Sequence, residues 1–120
     1  MMSTFRMTKK SGKELQSVDE FERELREEIS VSIEFVLPLA IVLALNIKGG
    51  WEQGTVRRVF DFLRVADLVT RPGPEELLVA LPNTTADDAW VVEERLCEAV
   101  PEATSGIATY REGDTGEYLL

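Results

Sequence analysis

The stretch that decides the fold runs over residues 64–82 and reads RVADLVTRPGPEELLVALP. It contains two short apolar runs, 68–69 and 77–81, on either side of the tetrapeptide PGPE at 72–75. Proline fixes the backbone angle φ and glycine admits angles that other residues avoid, so this tetrapeptide is typical of a tight turn. The stretch therefore predicts a β-hairpin with a reversal at 72–75.

Five ionisable side chains accompany this hairpin, namely Arg64, Asp67, Arg71, Glu75 and Glu76. Arg64 and Asp67 stand three residues apart before the first strand, and the two glutamates open the second strand. We therefore expect these charges to gather around one turn. If the chain has a chemical site, the sequence places it there.

Length and composition indicate one soluble domain. The chain has 120 residues, of which 44% are hydrophobic and 29% are charged. A chain of this length forms one domain with one core, and this composition is that of ordinary globular proteins. The formal net charge is −9. Such an acidic balance argues against broad contact with nucleic acid or with an anionic membrane, both of which present phosphate groups.

Cysteine and histidine usage excludes several classes of site. Cys97 is the single cysteine and the chain has no histidine. An internal disulfide and a zinc site are therefore not expected, and a reducing cytoplasmic location fits. Hydrolytic arrangements that pair serine or cysteine with histidine are excluded as well. We expect no metal and no cofactor, and we interpret Cys97 as a small hydrophobic residue of the core.

Local composition predicts the character of the two ends of the chain. Residues 1–13 are polar and basic without an apolar run, which is unlike a signal peptide. We expect residues 1–16 to form a disordered leader and residues 17–120 to form a single domain. The longest apolar run, 35–47, contains Pro38 and is shorter than the roughly 20 residues that span a bilayer. No insertion into a membrane is therefore expected.

The remaining elements follow from caps and periodicity. Ser17 and Glu20 form a capping box before a helix, and Thr85 caps a later one. The first helix should bury a stripe of residues three and four apart: Val18, Phe21, Leu25, Ile29, Ile33 and Val36. Strands are predicted at 39–47 and 104–110, and a short helix after Thr55. The order is a helix followed by βαββαβ, which predicts an α+β, ferredoxin-like antiparallel sheet with 39–47 and 77–81 as inner strands.

The hairpin resembles the signature of the GGDEF domain family, the bacterial diguanylate cyclases. In that family RxxD precedes a strand, an arginine follows, and the turn reads Gly-Gly-Asp/Glu-Glu-Phe. Here the turn reads Gly73-Pro74-Glu75-Glu76-Leu77. The segments 82–84, 92–96 and 104–108 also resemble the family pattern in the same order. The resemblance implies the GGDEF palm with a preceding helix and a role in cyclic di-GMP signalling.

The departures from the family pattern concern catalysis. The family holds two divalent ions with an aspartate on its first strand and with the third residue of the turn motif. This chain has Ala44 or Asn46 at the strand position, which leaves Glu75 as a single carboxylate. Pro74 replaces the second glycine, and the guanine-recognition segment is reduced to 50–55. The family's C-terminal helix and its lysine have no counterpart, so the domain is expected to be catalytically inactive and C-terminally truncated.

A second site of the family involves the RxxD motif, which binds the product cyclic di-GMP. The resemblance assigns this role to Arg64 and Asp67, and to Arg95, which matches an arginine that some members contribute. A guanidinium can donate to guanine O6 and N7, and a carboxylate can accept from the guanine N1–H and amino group. The alternative is that Arg64 and Asp67 pair with each other on the surface, which would contribute little to stability.

Three hypotheses of function follow. The first is an inactive GGDEF-like regulatory domain that senses cyclic di-GMP through Arg64 and Asp67. The second is an inactive domain that binds no nucleotide and acts through protein contacts, either with another copy or with a partner. The third, a working diguanylate cyclase, is disfavoured by the missing carboxylate on the first strand.

Overall fold

The computed structural model describes residues 14–109. Its elements, in chain order, are α1 (Val18–Phe35), β1 (Leu39–Leu45), α2 (Gln53–Phe60), β2 (Leu68–Gly73), β3 (Glu76–Pro82), α3 (Ala86–Ala99) and β4 (Thr104–Thr109). The four strands form one antiparallel sheet in the order β2-β3-β1-β4. The predicted βαββαβ arrangement after a leading helix is confirmed. The inner strands are β1 and β3, as their apolar runs predicted.

The register of the sheet brings the end of β1 beside the hairpin turn. β1 pairs with β3 from Leu39, opposite Pro82, to Leu45, opposite Glu76. The turn itself consists of Pro74 and Glu75, shorter than the tetrapeptide predicted, because Pro72 and Gly73 belong to β2. β2 carries an irregularity in register between Thr70 and Gly73. A proline without an N–H is tolerated there because β2 is an edge strand.

Helices cover the sheet on both faces. On one face α2 and α3 pack against the strands in a core that includes Ala40, Val42, Val59 and Leu96. On the other face α1 packs with Phe21, Leu25 and Ile29 against a second apolar cluster of the sheet. Alternate residues of β1 belong to the two cores, because successive side chains of a strand point to opposite faces. Leu43 is the exception and is exposed on the α1 face.

Helix α1 begins at its predicted cap. Both halves of the capping box between Ser17 and Glu20 are formed, and Ser17 lowers the pKa of Glu20 by donating its backbone N–H to the carboxylate. The predicted stripe is buried at Phe21, Leu25 and Ile29 only.

The prediction for α1 is wrong at Val18, Ile33 and Val36, which are exposed, whereas Ser32 is buried. Val36 lies beyond the helix as its C-cap, in the left-handed region with φ of 54°. The chain turns towards β1 there, so a side chain that continues the helical period no longer meets the sheet.

Helix α3 is capped by Thr85, whose side chain accepts from the Asp88 N–H. Ala89 and Leu96 are buried. The interpretation of Cys97 as a core residue is wrong, because its side chain is exposed. Cys97 follows Leu96, and successive helical residues differ by about 100° around the axis, so it points away from the core. Trp90 is also exposed, by 56%.

The described chain joins the sheet before α1 begins. The Gln16 N–H donates to the Val69 carbonyl at 2.8 Å, and the Thr70 hydroxyl donates to the Gln16 carbonyl at 2.8 Å. Most of the predicted leader, residues 1–13, lies outside the described residues, as do Tyr110 and the rest of the C-terminal segment. Between residues 14 and 109 no helix is long and apolar enough to cross a membrane.

Candidate functional site

The hairpin turn is held against the loop 46–52 by hydrogen bonds. The backbone N–H of Trp51 donates to the Pro74 carbonyl at 2.9 Å, and the Trp51 indole N–H donates to the Glu75 carbonyl at 3.1 Å. The backbone N–H of Asn46 also donates to the Glu75 carbonyl, at 2.9 Å. The carbonyl groups of both turn residues therefore accept hydrogen bonds from the protein's own loop.

Asn46 organises that loop with its side chain. The side-chain amide of Asn46 donates to the Gly50 carbonyl at 2.9 Å, and its oxygen accepts from the Gly49 N–H at 3.1 Å. Asn46 is buried. Both ends of this side chain are therefore engaged in loop structure. Ala44, the other position at which the family aspartate could stand, is buried in the core between the sheet and helices α2 and α3.

Trp51 anchors the loop in the core. Its side chain is 1% exposed and belongs to the cluster under α2 and α3. Arg71 of β2 donates from Nη1 to the Trp51 carbonyl at 2.7 Å. Strand β2 therefore also holds Trp51, in addition to the turn and the core. Sequence reasoning missed this role because it treated 50–55 only as a shortened recognition segment. A tryptophan directly after a Gly-Gly pair was the available signal.

The signature turn presents little chemistry to solvent. Leu77 is fully buried in the core, and Gly73 is half-buried. Glu75 and Glu76 are exposed. In the described part of the chain, no group of three or more histidine, cysteine or acidic side chains is placed to hold a metal ion. Glu75 and Glu76 are therefore exposed carboxylates beside a turn whose carbonyl groups already accept hydrogen bonds.

Arg64 and Asp67 form a closed pair. The Asp67 side chain is 2% exposed, and its Oδ2 accepts from the Arg64 backbone N–H at 2.7 Å. Its Oδ1 accepts from Nε and Nη2 of Arg64 at 3.2 and 3.0 Å. Both oxygens of the buried carboxylate are thus engaged, and their partner is the arginine with which the RxxD motif would bind guanine.

Arg64 also ties the loop before β2 to the end of β3. Its Nη2 donates to the Pro82 carbonyl at 2.7 Å and to the Thr84 hydroxyl at 2.8 Å. The expectation that the charged residues gather around one turn is wrong. Arg64 and Asp67 precede β2 and Glu75 follows it, so the six residues of β2 separate them by about 20 Å.

Arg95 lies apart from this hydrogen-bond network. It is exposed in the third turn of α3 and makes no hydrogen bond or ion pair with the other residues from 14 to 109. It stands ten residues beyond the Thr85 cap, which is about 15 Å along the helix axis. Arg64 contacts Thr84 beside that cap, so the structure does not bring Arg95 into the Arg64–Asp67 network.

The contact between loop and turn predicts opposite effects for two glycine substitutions. Gly50 has φ of +66°, and a Cβ there would lie 3.0 Å from the Pro74 carbonyl oxygen. Gly50→Ala should therefore lower the free energy of unfolding by about 1 to 3 kcal/mol. Gly54, in α2, has open space around its Cα. Gly54→Ala should raise the same quantity by about 0.5 to 1 kcal/mol in urea denaturation. Equal effects of the two changes would contradict the contact.

The burial of Asp67 predicts that the Arg64–Asp67 pair contributes more to stability than a pair on the surface would. Asp67→Ala leaves the Arg64 backbone N–H without its acceptor and removes charge-assisted bonds, so it should cost about 2 to 3 kcal/mol. Asp61→Ala is the matched control, because Asp61 is exposed at the end of α2. Urea denaturation of both variants tests this. A loss below about 0.5 kcal/mol for Asp67→Ala would mean that the pair is not closed in solution.

Comparison by sequence found no relative. No family model matches the chain, and no curated protein matches it either.

Comparison by structure found several similar domains. The diguanylate cyclase SiaD from Pseudomonas aeruginosa, solved with its activator SiaC, is 23% identical with a TM-score of 0.72 over 88% of this chain. This chain spans half the length of the SiaD chain. The GGDEF domain of DgcB from Caulobacter crescentus, solved with c-di-GMP, is 16% identical with a TM-score of 0.72, covering 98% of this chain and 84% of that one.

An active GGEEF domain of a Vibrio cholerae diguanylate cyclase is similar as well. It is 15% identical, with a TM-score of 0.71 over 85% of this chain and 81% of its own. All three likenesses lie below 25% identity and concern the arrangement of the backbone. They show that this chain has the fold of the GGDEF domains, with a helix before the sheet.

Proposed function

We propose that this chain is a GGDEF-like regulatory domain that makes no cyclic di-GMP and acts in signalling through contacts with other proteins. One observation carries the proposal. The turn that carries the signature residues is bound by the protein's own Trp51 and Asn46. A nucleotide that approached this turn would find the carbonyl groups of Pro74 and Glu75 already bound by these residues.

The metal chemistry of the family lacks its ligands here. Two-metal catalysis needs several carboxylates to hold the ions and to balance their charge. Glu75 is the acidic residue at the turn, Ala44 has no ligating atom, and both ends of the Asn46 amide hold the loop. These positions support a domain that does not turn over GTP.

The phosphate contacts are lost for a separate reason. Backbone N–H groups of a glycine-rich turn can bind a phosphate, but Pro74 has no N–H. The nearest loop donor, the Trp51 N–H, points to the Pro74 carbonyl at 2.9 Å. The N–H groups of the loop therefore bind the carbonyl groups of the turn. This supports a structural role for residues at positions with which the family binds its substrate.

A regulatory role through protein contacts accords with one of the structural neighbours. SiaD was solved in complex with an activator protein. For this chain, we propose a protein partner in the cytoplasm, where a single unpaired cysteine is stable as a thiol.

Binding of cyclic di-GMP is a second candidate, and the exposure of Arg64 favours it. The Arg64 side chain is 54% exposed, and its Nη1 donates no hydrogen bond within the described residues. DgcB was solved with c-di-GMP. For this chain, however, both Asp67 oxygens already accept from Arg64, so guanine would find one free donor group and no free carboxylate.

The proposal predicts that purified protein with GTP and Mg²⁺ or Mn²⁺ forms no cyclic di-GMP. Restoring a carboxylate should not rescue activity. Ala44→Asp buries a charge in the core and should unfold the domain, and Asn46→Asp places a carboxylate against the Gly50 carbonyl. Chromatography of the reaction products measures the outcome, with the active Vibrio cholerae GGEEF domain as the positive control. Product above the no-enzyme level would overturn the proposal.

Titration calorimetry with cyclic di-GMP separates the two candidates. We expect no heat at about 100 μM ligand, because Asp67 is engaged with Arg64. If the ligand does bind at this pair, Arg64→Ala should weaken it by roughly tenfold to hundredfold, the value of a bidentate guanine contact. Arg95→Ala is the matched control and should leave affinity unchanged. Tight binding by the unmutated protein would replace protein contacts with cyclic di-GMP sensing as the function.

A further inference from the structure

An open groove runs between helix α3 and strand β4, away from the hairpin turn. It has a volume of about 540 Å³. Its helical wall consists of Trp90, Glu93, Glu94, Cys97 and Glu98, and its strand wall of residues 103–105. A groove between a helix and a strand is the geometry in which many domains bind an extended peptide.

Strand β4 offers an edge suited to pairing. It is the outer strand of the sheet and, among residues 14–109, it pairs only with β1. Its sequence, TSGIAT, contains no charged residue and no proline. Natural edge strands commonly carry such residues to prevent pairing with another chain. Within the described part of the chain, the outer edge of β4 therefore carries backbone donors and acceptors without the usual protection.

The helical wall is acidic. Glu93, Glu94 and Glu98 line the groove, and no lysine or arginine among residues 14–109 does. Glu94 and Glu98 stand four residues apart on α3, a spacing at which like charges destabilise a helix. Glu93 Oε2 accepts from the Ser105 hydroxyl at 2.6 Å, which joins the helical wall to the strand. This charge pattern does not stabilise α3, and it complements a cationic ligand.

Trp90 supplies an aromatic surface at one end of the groove. Its side chain is 56% exposed, although a tryptophan is usually well buried. An exposed indole can stack on the apolar stem of lysine or arginine and attract its charge by a cation–π interaction. Trp90 and the glutamates of the helical wall are therefore all suited to bind a lysine or arginine side chain.

We propose that this groove binds an extended, basic segment of a partner protein, which adds to the outer edge of β4 as a fifth strand. Alternate side chains of such a strand face α3, so lysine or arginine at every second position would meet Trp90 and the glutamates. The inference rests on the proposed function, since it names the class of partner. A second copy of the chain fits poorly, because its formal charge is −9 and two acidic grooves repel each other.

Fluorescence anisotropy with synthetic peptides tests the proposal on the full chain. The probe is a peptide of about seven residues in which lysine alternates with valine, long enough to pair with β4. One control replaces valine with proline, which keeps the charge and removes the N–H groups. A second control replaces lysine with glutamate. We expect binding of the first peptide alone, weakening as salt is added.

Cys97 gives an internal reporter of where the peptide lies. It is the single cysteine of the chain, it is exposed, and it lines the groove. Its rate of alkylation by iodoacetamide, a neutral reagent, should fall at saturating lysine–valine peptide. The proline and glutamate peptides should leave the rate unchanged.

Two sets of variants assign the contacts. Trp90→Ala should weaken binding about tenfold, and the double change Glu94→Gln with Glu98→Gln should weaken it further and reduce its salt dependence. The matched control is Glu27→Gln with Glu34→Gln, on exposed positions of α1, which packs on the opposite face of the sheet. This control removes the same net charge and should leave affinity within about twofold.

Three results would overturn the inference. These are equal binding of the lysine–valine and proline peptides, no binding at about 1 mM peptide, and a dimer of the free protein that Trp90→Ala abolishes in sedimentation. The first would indicate attraction by charge alone, and the last would assign the groove to a second copy. None of these results concerns the formation of cyclic di-GMP from GTP, which is the result that would overturn the proposed function. Failure of this inference is therefore distinguishable from failure of the proposed function.

Discussion

Three hydrogen bonds join the loop 46–52 to the hairpin turn. They run from Trp51 and Asn46 to the carbonyl groups of Pro74 and Glu75. The register of β1 and β3 makes them possible, because it brings the end of β1 beside the turn. Trp51 also belongs to the same apolar cluster as Val56 and Val59 of α2. We refer to these contacts between the loop 46–52 and the hairpin turn as the joint.

The sheet could be predicted because its signals are local. The order of strands and helices, the caps at Ser17 and Thr85, and the inner position of β1 and β3 follow from spacing and from runs of apolar residues. The exposure of Cys97 and Val36 could not be predicted, since it depends on where a helix turns relative to the sheet. A periodic pattern gives a helical face but not the point at which that face leaves its partner.

The candidate sites were predicted less well than the fold. The RxxD motif identified Arg64 and Asp67 as partners, but Arg64 is also held by Pro82 and Thr84, which are distant in sequence. The role of Trp51 depends in the same way on Pro74 and Glu75. A sequence motif therefore indicated which side chains lie next to each other. Contacts with residues distant in sequence determine whether those side chains are free to bind a ligand. In this chain, such long-range contacts bind both the Arg64–Asp67 pair and the turn residues Pro74 and Glu75.

Hydrogen exchange at the joint is the most direct test of this account. NMR can follow the backbone N–H groups of Asn46 and Trp51 and the indole N–H of Trp51, with the first-turn amides of α2 as an exposed reference. The account predicts that all three exchange only on global unfolding, with protection unchanged by GTP and Mg²⁺. Exchange as fast as in the reference amides, or a loss of protection when the nucleotide is added, would contradict a closed joint.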